Sequence, residues 1–300
     1  MIAKIISITN KEAKGIDENG NEVKLKAQVK QKETGIYVGD NVILGENIHG
    51  VWTIKDVLER KNLLDRPVIA NLDTAFITVS IFPEIDYLVL DKILINCEMN
   101  KITPILVLNK ADLINEEFKN DLISQYGECV KKIIVTNALT GENMEEIKEE
   151  MKGKTTAFIG QSAVGKSTIL NNFELGELLK TNDLTLKAGK KKERGKNTTR
   201  ASRLFALDFG GYVADSPGFS KLDFRLIRPQ ELVFYFPDLV KYRDCKFSNC
   251  THLVEGENCG LQRAFKEGKI NPKRFERFLK LQKMLNERWK NRYVYNNWQM

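Results

Sequence analysis

Residues Gly160-Gln161-Ser162-Ala163-Val164-Gly165-Lys166-Ser167 follow the G-x4-G-K-[ST] spacing. Glycines in such a loop let successive backbone N–H groups approach an anion, and the lysine suits the outer oxygens of a polyphosphate. Lys166 is the candidate for those oxygens, Ser167 for a magnesium ion, and Gly160 to Thr168 as a run for the phosphate cradle. About fifty residues earlier stands Asn109-Lys110-Ala111-Asp112. The Asp112 carboxylate can accept from the N1–H and exocyclic amine of guanine. Adenine presents neither in that arrangement, so a carboxylate desolvated there would reject ATP. Asn109 would fix the loop and the Lys110 stem would cover the base. Asn137-Ala138, after another strand-like run, offers a backbone contact for the guanine carbonyl, or is simply a loop.

Tyr212-Val-Ala-Asp215-Ser-Pro-Gly218 carries a D-x-x-G pattern. Asp215 suits a magnesium-bound water and the Gly218 N–H suits a γ-phosphate; the same tetrapeptide is also a good turn. Thr198 or Thr199 would bind magnesium and order the basic segment Lys187–Arg200 when GTP is present. That segment's charge reads either as a solvated loop or as a contact for nucleic-acid phosphate. Phe219 follows the D-x-x-G where many GTPases carry a water-orienting glutamine. Hydrolysis is therefore expected to be slow without a group supplied by a switch or a partner. Lys166, Thr199, Asp215 and Gly218 form the expected catalytic set.

A second chemistry lies downstream. Cys245-x4-Cys250-x-His252-x6-Cys259 offers three thiolates and one imidazole, a closed tetrahedral set for structural zinc. Cys97 and Cys129 fall in helical stretches and read as packing residues; His49 falls in a turn.

These groups need scaffolds. Residues 1 to about 62 alternate apolar and polar over Ala3–Ile8, Glu22–Ala27, Asp40–Leu44 and Val51–Lys55. They predict an OB-fold β-barrel, with an SH3-like barrel or an open meander as alternatives. From 63 to 222, apolar strands (72–82, 102–108, 132–135, 155–159) alternate with helices (86–99, 116–126, 144–151, and from Lys166). That alternation predicts a parallel sheet with helices on both faces, hence a multidomain α/β chain. Residues 223–300 hold the cysteine cluster and a basic helical tail, expected to pack on the nucleotide domain. In the tail Phe275, Phe278, Leu281 and Leu285 recur at core-facing spacing. Its basic face, which includes Arg274 and Arg277, reads as RNA-binding or as solvated. Trp289, Tyr293, Tyr295 and Trp298 read as base-stacking or docking groups.

The chain has 300 residues, net charge +7 and 42% hydrophobic content, ordinary for a globular protein with a mild preference for polyanions. No apolar run reaches about 18 residues, so no membrane contact is expected. The N-terminal residues do not read as a signal peptide, and five cysteines then suit a reducing cytoplasm rather than a disulfide framework. A monomer is expected.

In ordinary GTPases the phosphate loop precedes the base-reading element; here the order is inverted. That order, the small barrel, the Thr-Thr and Asp-x-Pro-Gly segments and the Cys-x4-Cys-x-His-x6-Cys spacing resemble the circularly permuted RsgA/YjeQ GTPases over essentially the whole chain. The resemblance implies an OB-fold, a permuted GTPase domain and a zinc domain. It implies late maturation of the 30S ribosomal subunit, binding to its 16S rRNA, and hydrolysis of GTP to GDP stimulated by the subunit. Asn197 stands where family members commonly carry a histidine, and an amide cannot take a proton from water near neutral pH. Ala163 stands where the family loop often has glycine. Two other readings remain at this point: an RNA-binding module with a slow or silent nucleotide site, and a GTPase serving another RNA.

Overall fold

A computed structural model describes residues 1–9, 12–27, 35–65, 68–173, 203–215 and 227–291. Strands β1 (Ile2–Ile8), β2 (Ala13–Asp17), β3 (Glu22–Ala27), β4 (Asn41–Ile48) and β5 (Val51–Val57) form the N-terminal part. Their order is β1-β2-β3-β5-β4, and β4 pairs back onto β1, so the sheet closes into a barrel. Only β3–β5 is parallel. This is an OB-like barrel of five strands. Alternation drives it: Ala3, Ile5, Val23, Leu25, Val42, Leu44 and Ile54 turn inward and are buried together. Strand β2 was not foreseen. Its Gly15 lies where a Cβ would come within 2.9 Å of Leu25 Cδ1, so the close approach of neighbouring strands needs glycine there.

A short hairpin, β6 (Leu63–Asp65) with β7 (Val68–Ala70), leads out of the barrel. Asn62 then ties the chain to Leu72 by two hydrogen bonds of 2.8 and 2.9 Å. Buried Asp40 holds Arg60 through two contacts of 2.6 and 2.9 Å.

The nucleotide-type sheet contains β8 (Thr74–Val79), β9 (Thr103–Asn109), β10 (Lys132–Thr136), β11 (Thr155–Ile159), β12 (Arg203–Ala206) and β13 (Tyr212–Asp215). Its order is β10-β9-β8-β11-β13-β12. The pairs β8–β9, β8–β11 and β11–β13 are parallel, as the alternation predicted. The parallel pattern ends at β12, which pairs antiparallel with β13 and also with barrel strand β1 at Ser7 and Arg203. Phe76, Ile105, Val107, Phe158 and Val213 of this sheet share one buried cluster with Met144, Ile147 and Met151 of a helix and Ile169 and Leu170 of another.

The chain forms two compact units. Met1–Ile85, Asn100–Leu113 and Ile134–Lys221 make the first, which holds both sheets. Asp86–Met99, Ile114–Ile133 and Leu222–Met300 make the second. The second unit holds α1 (Tyr87–Met99), α2 (Glu116–Tyr126), α5 (Pro237–Val240), α6 (Gly260–Lys266) and α7 (Pro272–Lys290). Helices α3 (Met144–Met151) and α4 (Lys166–Asn171) belong to the first. Asn115 caps α2 by accepting from the Phe118 N–H at 2.8 Å, and Glu116 and Glu117 complement its first turn. Asn271 caps α7, with Pro272 at its first position.

The core of the second unit is built on α7: Phe275, Phe278, Leu281 and Leu285 are buried, as their spacing predicted. Truncating Phe278 would cost about 3–5 kcal/mol for a ring so enclosed. Arg274 and Arg277 correct the reading of the tail as one basic face. Arg274 is 2% exposed. It forks onto Asp238 with two contacts of 3.0 Å and also bonds Asp91. Arg277 Nε reaches Asp91 at 2.8 Å, and Asp91 accepts from the Tyr126 hydroxyl at 2.8 Å. Cys97 and Cys129 are buried packing residues.

Candidate functional site

The phosphate-loop sequence forms the turn between β11 and α4. Gly160 follows a fully buried strand, and a Cβ on it would lie 2.2 Å from the Thr78 carbonyl oxygen. Gly165 has φ 95°, and a Cβ there would lie 2.1 Å from Asn109 Nδ2. Only glycine meets both conditions. Ala163 has φ 66°, a left-handed conformation that favours glycine. Val164 is 1% exposed and anchors the loop from below. Lys166 folds back over it: Nζ donates to the Gly160 and Gln161 carbonyls at 2.7 and 2.6 Å. Burial pushes its ammonium pKa below the usual lysine value. Ser162 and Ser167 are exposed, and Gln161 and Thr168 are half-buried.

The residues of Asn109-Lys-Ala-Asp112 and Asn137-Ala138, read separately in the sequence, come together with this loop. Asn109 is 3% exposed at the C-terminal end of β9. Its Nδ2 donates to the Val164 carbonyl at 2.9 Å, and its Oδ1 accepts from the Ala138 N–H at 3.1 Å. One side chain thus fixes the phosphate loop and the second base-side loop. Asn137 Nδ2 donates to Asp112 Oδ1 at 2.9 Å, linking that loop to the exposed carboxylate. Lys110 has φ 66°, and its Nζ donates to the Phe82 carbonyl at 2.6 Å. The site therefore sits at the C-terminal ends of parallel strands, where open α/β sheets bind ligands.

Asn172 went unnoticed in the sequence. Its Nδ2 donates to the Ala138 carbonyl at 2.8 Å and to the Thr168 carbonyl at 2.9 Å. An asparagine closing a short helix carries no signal beyond capping. Asp215 ends β13, opposite Arg203. Asn197, Thr198, Thr199, Gly218, Phe219 and the Lys187–Arg200 segment lie outside the described residues, as do Tyr293, Tyr295 and Trp298.

In the second unit Cys245, Cys250, His252 and Cys259 bring four ligand atoms within 4.8 Å of one another. Cys245 Sγ is 3.6 Å from His252 Nδ1 and 4.0 Å from Cys259 Sγ, and His252 Nδ1 is 3.4 Å from Cys259 Sγ. The Gly260 N–H points at Cys245 Sγ from 3.4 Å. Burial, aided by Arg243, lowers the His252 pKa to about 4, so the ring is neutral and able to ligate. Burial pushes the Cys259 thiol up to about 12. A cation among these atoms would reverse that preference. The cluster can hold a metal ion.

A loop of phosphate-binding spacing, an Asn-Lys-x-Asp loop and a parallel sheet, in inverted chain order, mark the class of circularly permuted P-loop GTPases. The RsgA GTPase family model matches residues 57–225. A small ribosomal subunit biogenesis GTPase RsgA from Thermotoga neapolitana is 36% identical over 270 residues, 88% of this chain and 90% of the relative. One from Caldanaerobacter subterraneus subsp. tengcongensis is 40% identical over 242 residues, 80% of each chain. The crystal structure of YjeQ from Thermotoga maritima superposes with TM-score 0.79 at 33% identity, over 95% of this chain and 98% of that one. YloQ, a circularly permuted GTPase, gives TM-score 0.76 at 27% identity, over 96% and 95%. The chain belongs to the RsgA GTPase family.

Proposed function

We infer that this GTPase binds the small ribosomal subunit and its 16S rRNA, acts in the subunit's late maturation, and hydrolyses GTP to GDP faster when bound there. The Asn109 clasp carries the nucleotide half of this reading: one buried amide joins the phosphate loop to the base-side loop. The relatives, small ribosomal subunit biogenesis GTPases, support the ribosomal half.

Within the site, Lys166 would exchange its two carbonyl partners for phosphate oxygens, a stronger, charge-assisted pairing. Loop N–H groups from Gly160 to Thr168 would cradle the phosphates. Ser167, Thr199 and Asp215 would hold magnesium, which neutralises charge on the transferred phosphoryl group. Gly218 would report the γ-phosphate. Asp112 would read the purine's amine edge, Lys110 would cover the ring, and the Ala138 N–H, which donates to Asn109 Oδ1 at 3.1 Å, would share that hydrogen with O6.

Zinc fits the second-unit cluster. Ligand bonds of about 2.3 Å to sulfur and 2.0 Å to nitrogen give tetrahedral edges of about 3.5–3.8 Å. The separations among Cys245, His252 and Cys259 are 3.4–4.0 Å, near those edges, and Cys250 completes a set whose ligand atoms all lie within 4.8 Å. Such a closed set is structural. A strong chelator is expected to release about one zinc per chain and to lower the melting temperature; release of no zinc, or unchanged cooperative melting, would rule the assignment out.

We assign residues 1–62 to RNA contact, 63–222 to the nucleotide cycle and 223–300 to the zinc-supported part, in a cytoplasmic monomer. Among the described residues no helix is long and apolar enough to cross a membrane. The test is sedimentation with purified subunits. Co-sedimentation with 30S and not 50S, stronger with a non-hydrolysable GTP analogue than with GDP, is expected; equal or absent association with both subunits would remove the ribosomal assignment.

A further inference from the structure

We propose that Asn172 is a positioning residue for guanine recognition at O6, acting through the backbone of Ala138 on the two peptides that flank its Cα. This rests on the reading of residues 109–112 and 137–138 as the base site. The observation is a second clasp beside that of Asn109. Ala138 is held on both sides of its residue: its N–H is placed by Asn109 Oδ1 at 3.1 Å and its carbonyl by Asn172 Nδ2 at 2.8 Å.

The same Nδ2 bonds the Thr168 carbonyl at 2.9 Å, so Asn172 is anchored to the helix that begins at Lys166. Its own N–H caps that helix on Ile169 and Leu170. The amide therefore refers the base-side loop to the phosphate-bearing helix.

The loop's other hydrogen bonds run within it or to β10, where Thr136 Oγ1 bonds the Glu142 carbonyl and Asn143 Nδ2 donates to the Val135 carbonyl at 2.8 Å. Thr140, Gly141 and Glu142 all donate backbone N–H groups to the Asn137 carbonyl, and the Leu139 N–H bonds Asn137 Oδ1. They shape the turn but do not place it. Ala138 itself is 4% exposed and packs in the core cluster of the sheet, while Leu139 at the turn's tip is 85% exposed. Among side chains of other elements, Asn109 and Asn172 bond the Ala138 backbone directly. Of these, Asn172 is the one that neither belongs to the base-reading motif nor follows a strand end.

O6 recognition depends on a backbone donor, which no side-chain identity can replace; its position is the only variable. Asn172 thus separates two parts of guanine selectivity: the amine edge, read by Asp112, and the carbonyl edge, read by the Ala138 N–H.

The experiment measures dissociation constants for GDP, IDP and 6-thio-GDP. IDP lacks the 2-amine, and 6-thio-GDP replaces O6 with a poorer acceptor. In the unsubstituted protein both analogues should bind more weakly than GDP. In Asn172→Ala, GDP affinity should fall about three- to tenfold, the loss of one positioning hydrogen bond. The 6-thio-GDP to GDP ratio should shrink by a similar factor while the IDP to GDP ratio stays the same. Asn172→Asp, of the same size but without the donating amide, should do likewise. Because ratios are read on one protein, a general loss of stability does not imitate the result. An unchanged 6-thio-GDP ratio in both variants would overturn the proposal. If the unsubstituted protein fails to discriminate against either analogue, the base-site reading itself falls.

Discussion

Asp112→Asn is expected to weaken GDP binding by about a hundredfold and to make XDP the better ligand. Guanine offers the carboxylate two donors, N1–H and the exocyclic amine. Hydrogen bonds to a charged acceptor are worth about 1.5–3 kcal/mol each, and about 1.4 kcal/mol is tenfold in affinity. An asparagine keeps one acceptor and turns an amide N–H₂ toward the amine, so one bond is lost and two donors face each other. Xanthine carries a carbonyl at that position and accepts from the new amide. The substitution should leave the fold intact, because the Asn137 Nδ2 contact at 2.9 Å needs only an acceptor, which an amide oxygen supplies. Calorimetric titration with GDP and XDP checks it. Equal GDP affinity in the variant and the parent protein would show that Asp112 does not read the base.

The largest stability effect should come from the buried ion cluster of the second unit. The Asp91 carboxylate is fully buried and accepts from Tyr126 and from both Arg274 and Arg277. Burial alone would lower the Arg274 pKa, but Asp91 and Asp238 outweigh it and hold the guanidinium charged. Asp91→Ala leaves two arginines short of a counter-ion in a desolvated site, a loss of about 3–5 kcal/mol. For a chain of this size the melting temperature should drop by about 6–20 °C. Asp91→Leu combined with Arg274→Met should recover only part of that, because Arg277 loses its Asp91 partner and Asp238 its Arg274 fork. Thermal and urea melts of the single and double variants provide the comparison. A single variant within about 0.5 kcal/mol of the parent protein would mean that the cluster contributes nothing beyond an ordinary surface site.

Both predictions involve residues with different visibility in the sequence. Asp112 was legible because its loop follows an apolar strand run and carries a fixed spacing. The phosphate loop was legible for the same reason, as Thr155–Ile159 and the helix from Lys166 appear where the pattern put them. Helix Glu116–Tyr126 was marked by the Asn115 cap and its acidic first turn. The cysteine cluster was legible as chemistry, since thiols and an imidazole within fifteen residues need little tertiary information to meet.

Contacts distant in sequence were not legible. Arg274 and Arg277 looked like members of one basic face, because charge in a sequence does not name its partner; Asp91 lies 183 residues before Arg274. Strand β2 was hidden by the glycine that the barrel needs at residue 15. Antiparallel β12 was hidden because four residues carry too little alternation to separate a strand from a loop. Asn172 was hidden because its partner is a backbone carbonyl, which every residue has. Local periodicity and motif spacing thus specify the elements and the reactive groups, while the side chains that set one loop against another depend on the fold.

We propose that a guanine-specific P-loop site drives hydrolysis on the small ribosomal subunit. Phosphate release under multiple turnover measures it directly, with GTP or ATP, alone and with purified 30S or 50S subunits. The account predicts slow GTP turnover alone, marked stimulation by 30S only, and no stimulated ATP turnover. Unstimulated GTP hydrolysis, or equal stimulation by 50S, would contradict it.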